Sequence, residues 1–213
     1  VRDGATIRQH VAVEAIGPGS VQTAGGALSA GIIVNAAGAR APALTPGLPI
    51  VPRRGYLAIT DRYPGFCRHQ LVELGYLQSA HTMGGSSVAF NVQPRRTGQL
   101  LIGSSRELVG WDETPRRSML SRMLARATAF MPGLATLDVI RTWTGFRPAT
   151  PDKLPLVGPW PEHPGLWIAA GHESLGITTA LGTARLLADL LGGRTPAIDP
   201  APFAPARVLQ PVS

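Results

Sequence analysis

The chain has 213 residues, of which 44% are hydrophobic and only 15% charged; it can build a core, and global disorder is excluded. Its 25 glycines and 20 prolines argue against a helical bundle and for strands joined by turns, with extensive buried backbone or a large ligand. The net charge is +7, and nineteen of the twenty basic residues are arginine; they are scattered, without zinc-finger spacing or an aromatic RNA-binding signature, which sets nucleic acid aside in favour of anionic small molecules.

No apolar run approaches the roughly 20 residues needed to span a bilayer, and no basic-then-apolar leader follows Val1. The single cysteine, Cys67, excludes an internal disulfide framework and a multi-cysteine metal site, so no metal is expected and a reducing cytoplasm is the default location.

In chain order, Ile7–Val13 alternates as a strand. Gly17-Pro18-Gly19 turns it, Ser20–Thr23 returns, and Gly25-Gly26 turns again. Gly31–Gly38 (GIIVNAAG) is β-branched without alternation and predicts a fully buried strand ending on small residues that let a ligand approach. Strands follow over Val51–Thr60, Leu71–Ser79, Ser86–Gln93 and Gln99–Ser105, with Arg95–Gly98 as a hairpin turn. Thr114 as N-cap and Pro115 as first residue open a helix whose apolar positions run from Met119 to Met131. Pro132-Gly133 stops it. Val139–Phe146 and Leu166–Ala170 are further strands, and Leu154–Val157 is a short apolar stretch. A second helix spans about Ile177–Leu191, closed by Gly192-Gly193. The Pro-rich tail, residues 196–213, reads as extended on the surface.

Three segments carry chemistry. Gly171–Gly176 (GHESLG) is a turn between a strand and a helix, where free N–H groups favour negative charge. It nearly matches a nucleophile elbow, but no histidine follows Ser174, as that arrangement requires; a second histidine four residues after His172, needed for a zinc protease, is also missing. In Trp143–Asp152, Arg147 stands between Gly145 and two prolines, where a guanidinium can grip a carboxylate by two parallel hydrogen bonds. Asn35–Gly38 is the small-residue strand end.

Together these segments resemble the D-amino acid oxidase family of FAD-dependent oxidoreductases, in its glycine oxidase, D-hydroxyproline dehydrogenase and opine oxidase group. Ile32–Gly38 is similar to the family's strand beside the cofactor. Gly145–Pro148 through Pro151-Asp152 and Leu154–Pro159 resembles its substrate-arginine segment, and Gly171–Ile177 its flavin-facing turn. Pro52–Tyr56 and Gln93–Arg96 through Ile102-Gly103 resemble the substrate sheet.

The resemblance implies a mixed α/β (α+β) fold: an incomplete Rossmann-like FAD-binding domain, residues 1–50 and 145–195, with an interleaved antiparallel-sheet substrate domain, residues 51–144. It implies FAD bound by Val11, Ala36, Ala37, Gly38, Gly145, Gly171, His172, Glu173, Ser174, Leu175, Gly176 and Ile177. The substrate carboxylate falls to Arg147, and Asn91 is a further substrate contact. The implied reaction is oxidation of the C–N bond of a D-amino acid, glycine-like or imino acid substrate. The alternative is a non-catalytic or split subunit that pairs with other subunits of a heteromeric oxidase. The family's G-x-G-x-x-G and following acidic residue are missing, so Val1 reads as the start of a fragment that is inactive and binds FAD poorly alone. Ser174 stands where some relatives have arginine, and Asn91 where some have tyrosine.

Overall fold

The computed structural model describes residues 4–75 and 85–209. The chain forms two compact units: the first takes the residues up to Ile50 and from Thr150 onward, the second Val51–Ala149.

In the first unit, β1 (Val13–Gly17), β2 (Ser20–Thr23) and β3 (Gly26–Ser29) form an antiparallel meander. The expected strand over Ile7–Val13 does not form: His10 adopts φ +59°, outside the extended region, so pairing begins only at Val13. A second sheet has the order β10 (Leu156–Pro159), β11 (Leu166–Ala170), β4 (Ile33–Asn35). The first pair is antiparallel and the second parallel, with Leu166, Trp167 and Ile168 opposite Ile33, Val34 and Asn35. The strand expected to be fully buried is shorter and two-faced: Ile33 and Asn35 are buried, but Val34 is 38% exposed. Helix α1 (Ala41–Leu44) follows β4, and the long helix α3 (Gly176–Leu191) follows β11. Ile33, Leu48, Ile50, Leu156, Trp160, Leu166 and Ile168 build the core.

The expected extended tail is also corrected. Ala201–Phe203 and Pro205–Val208 are 3-10 turns, Pro205 is buried and Val208 packs on the core. Proline fixes φ near the helical value, so this spacing suits tight turns where burial rewards them.

The second unit is one antiparallel sheet of order β6 (Leu71–Val72), β7 (Ser87–Pro94), β8 (Leu100–Arg106), β5 (Val51–Thr60), β9 (Val139–Ala149). The sequence places β5 at its observed ends. Of the expected strand over Leu71–Ser79, Leu71 and Val72 are the two that pair among the described residues, and residues 76–79 lie outside them. The strand β9 runs on to Ala149, which keeps Gly145, Phe146 and Arg147 in this unit, because all three pair with β5; the boundary expected at residue 145 therefore shifts to 149.

Helix α2 (Arg117–Phe130) buries Met119, Met123 and Ala127 against Tyr56, Ala58, Phe90, Val92, Leu100 and Ile102, as its 3.6-residue spacing dictates. Its start differs from expectation. The Tyr56 hydroxyl accepts the Arg116 N–H at 2.6 Å, and Thr114 is held by the fully buried Arg54, whose Nη1 donates to Thr114 O at 3.0 Å. A capping group from a distant strand thus replaces the local one. Arg54 also pairs with Glu107 at 2.9 Å.

Candidate functional site

In the first unit the parallel pairing of β4 and β11 sets their carboxyl ends side by side. Ligands of open α/β sheets bind at such ends. Asn35 shapes the first: its Nδ2 donates to Ala41 O (3.0 Å) and Thr45 Oγ1 (2.9 Å), and its Oδ1 accepts the Ala37 N–H (3.1 Å). With its amide saturated inward, Ala36 and Ala37 are left exposed.

After β11 the chain turns at Gly171, with φ +85°. A Cβ there would lie 2.6 Å from Thr150 Cγ2, so both conformation and space require glycine. His172 is half-buried and its Nε2 lies 2.9 Å from Thr183 Oγ1 on α3. Burial pushes its imidazole pKa below the ordinary 6.5, which keeps the ring neutral at pH 7. Glu173 adopts φ +47°, and its Oε2 accepts the Ser174 N–H at 2.6 Å. Glu173–Leu175 form a 3-10 turn leading into α3, and the side chain of neither N-cap residue, His172 or Leu175, caps the start it precedes. Leu175 and Ile177 are 59% and 97% exposed.

Gly176 is informative. It is helical, and a Cβ would meet nothing closer than His172 Cβ at 3.6 Å. Glycine costs roughly 0.5–1 kcal/mol against alanine inside a helix, yet packing within this chain does not demand it. Uncapped N–H groups beside a bare glycine and exposed apolar side chains are a fit for one face and carbonyl edge of a flavin ring.

In the second unit, Arg147 pairs in register with Arg53, and Gly145 with Gly55. The Arg147 guanidinium reaches from β9 across β5, and its Nη1 donates to Ser105 O on β8 at 3.1 Å. It lies over Gly55, where a Cβ would fall 2.7 Å from Cζ. Asn91 occupies the same sheet face: it pairs with Gly103, whose Cβ position is 3.2 Å from Asn91 Nδ2 and 3.0 Å from Leu57 Cδ2, two residues along β5 from Gly55. Asn91 is 5% exposed and accepts from Gln93 Nε2 at 3.4 Å. Gly145 is exposed, with nothing within 4 Å of its Cβ position.

The structure thus brings Ala36–Gly38 and Gly171–Ile177 together in one unit, and Asn91, Gly145 and Arg147 onto one sheet of the other. Val11 is exposed next to the separate meander. Sequence reasoning placed Asn35 only at the head of the small-residue strand end, without its anchoring role, and gave no role to Gly55 or Thr183. Gly55 could have been found: it interrupts an apolar strand directly after two arginines.

The FAD dependent oxidoreductase (DAO) family profile matches residues 1–190. The chain is 36% identical over 189 residues to glycine oxidase of Pseudomonas putida, covering 87% of this chain and 48% of that protein. It is 34% identical over 223 residues to D-amino acid dehydrogenase of Xanthobacter autotrophicus, covering 97% and 48%. The crystal structure of glycine oxidase from Geobacillus kaustophilus superposes with a TM-score of 0.78 at 28% identity, covering 94% of this chain and 53% of that one. The chain spans about half the length of these relatives. It is a member of the DAO family of FAD-dependent oxidoreductases.

Proposed function

We propose that this chain is part of an FAD-dependent amino acid oxidase or dehydrogenase that oxidises the C–N bond of a D-amino acid, glycine-like or imino acid substrate. The observation that carries the reading is the Arg147 guanidinium laid across Gly55, on a strand segment that matches the family. A planar fork held over bare backbone is preorganised for a carboxylate. Asn91, on the same face, supplies an amide to substrate polar groups.

Gly171–Ile177 and Ala36–Gly38 would hold the flavin; bound FAD would supply the two-electron acceptor for the substrate Cα hydride, leaving an imine that water hydrolyses. The uncapped N–H groups at the start of α3 favour negative charge. No base is required of this chain if the amine binds uncharged. No helix among the described residues is long and apolar enough to cross a membrane, and a lone thiol at Cys67 suits a reducing cytoplasm.

The test is to purify the full-length protein, record its flavin spectrum, and mix it anaerobically with glycine, D-alanine and D-proline. Bleaching of the flavin band by at least one supports the reading. A protein that holds flavin but is reduced by none favours the non-catalytic subunit.

Gly176→Val gives a second readout. The protein has room for a side chain, so the variant should fold. It should lower the flavin reduction potential by about 5–45 mV, the equivalent of about 0.3–2 kcal/mol of helix-terminus stabilisation. Potentiometric titration checks this; an unchanged potential with FAD bound would leave Gly176 a purely structural residue.

A further inference from the structure

The C-terminal turn carries an arginine whose bonding exceeds what anchoring a tail needs, and it lies beyond the residues that the family profile matches. Arg207 directs Nε to Asp152 Oδ2 at 2.7 Å and Nη2 to Asp152 Oδ1 at 3.2 Å. Nη2 also donates to Leu154 O at 2.9 Å, and Nη1 to Ala204 O at 3.2 Å. Its side chain is 18% exposed. Beside it, Pro205 is buried, and a Cβ on Gly158 would lie 3.0 Å from Pro205 Cδ. The tail is therefore seated on β10.

The far side of this contact leads to the turn. Leu154 O accepts two donors, Arg207 Nη2 and Thr150 Oγ1, the latter at 2.8 Å. Asp152 Oδ1 also accepts the Leu154 N–H at 3.1 Å. The Thr150 hydroxyl is thus fixed by the carbonyl that Arg207 holds, and its methyl fills the space beside Gly171 that a Cβ would need, with Pro155 Cα 3.6 Å from the same Cβ position. Leu156, next in the chain, pairs with Ala170. The 150–155 loop therefore backs the exit of β11. Burial raises the Asp152 carboxyl pKa, but the Arg207 hydrogen bonds and the Leu154 N–H outweigh it and hold the group below its ordinary 3.8. The clamp is charged at neutral pH.

We propose that Arg207 is a positioning residue for the 171–176 turn, acting through Asp152, Leu154 and Thr150. The inference rests on the reading of that turn as the flavin-contacting element for its functional meaning, though not for its geometry. A point-charge lysine can reach Asp152 but cannot also serve Leu154 O and Ala204 O from a rigid fork, so the substitution is not conservative here.

The experiment compares Arg207→Ala, Arg207→Lys and Asp152→Asn with wild type in the full-length protein, with and without FAD. Amide hydrogen exchange is read over residues 150–155 and 171–177, with β7 and β8 as the control for global folding. Arg207→Ala is expected to speed exchange in both segments by about tenfold, the scale of one charge-assisted hydrogen bond, while β7 and β8 keep wild-type protection. The flavin visible spectrum should shift and FAD should bind about tenfold more weakly. Arg207→Lys should be intermediate.

Faster exchange confined to 150–155, with 171–177 unchanged, overturns the proposal. If Arg207→Ala loosens the whole chain, Arg207→Lys is held to the same two-segment criterion. Faster exchange in both segments with FAD affinity and spectrum unaltered upholds the positioning role and removes the flavin reading of the turn. A flavin response to Gly176→Val, with none of these exchange changes in the Arg207 variants, does the reverse.

Discussion

Arg147→Ala should lower kcat/KM for an amino acid substrate roughly 30- to 1,000-fold, a loss of about 2–4 kcal/mol in transition-state binding. A carboxylate gripped by two parallel N–H bonds is fixed in position and orientation. Losing both bonds costs affinity and displaces the reacting Cα–H bond as well. Arg147 also donates to Ser105 O, so part of any effect could come from a loosened β8. Two measurements separate these. Flavin content and thermal stability report the scaffold. A primary amine lacking the carboxylate should be oxidised equally well by both proteins, because Arg147 has nothing to hold in it. Unchanged kcat/KM for the amino acid, with flavin bound, would sink the assignment.

The second large effect is expected at Gly55, which touches neither cofactor nor substrate in this reading. Gly55→Ala puts a methyl where the Arg147 guanidinium now lies. The obstacle is the far end of a flexible side chain, so the cheapest relief is for the arginine to swing away. Stability should change little, since β-strand alanine is no worse than glycine. Catalysis should fall nearly as far as in Arg147→Ala, on the order of 30-fold or more. The double variant gives the sharper test. If Gly55 acts only by seating Arg147, Gly55→Ala should add almost nothing on top of Arg147→Ala. Additive losses would show that the methyl does its damage elsewhere on the sheet.

These two residues also mark how far the sequence can be read. Arg147 stands out as a candidate in the sequence because its setting, Gly145-Phe146-Arg147-Pro148, restricts the backbone. Gly55 is legible only as a glycine that interrupts an apolar strand; what it makes room for is a residue far along the chain, which only the β5–β9 register brings beside it. The same division runs through the fold. The helix α3 and strand β11 are found within a residue of their ends, since local periodicity and the closing glycines define them. The start of α2 is missed by two residues, because the Tyr56 hydroxyl overrides the good local cap at Thr114. The tail is misread because proline spacing alone cannot tell an extended segment from consecutive tight turns; the ion pair between Arg207 and Asp152, which favours the turns, spans 55 positions. In the turn 171–176, glycines and the helix start are visible in sequence, whereas the left-handed Glu173 and the His172–Thr183 pair follow from packing.

The second unit begins and ends on neighbouring residues of one ladder, Val51 opposite Ala149. That closure bears on how the first unit can assemble. Its parallel pair joins β4 to β11, strands separated in the chain by the entire second unit, and an open chain of that length would pay a large entropic cost to bring them together. Once β5 and β9 have zipped, Ile50 and Thr150 leave the ladder as neighbours, and the intervening polypeptide counts as little more than a tight connection. The second unit, a single continuous stretch of chain, can form without waiting for the first. The order of folding is thereby biased: the sheet that carries Arg147 acts as the staple that makes the discontinuous, strand-end half of the protein kinetically accessible.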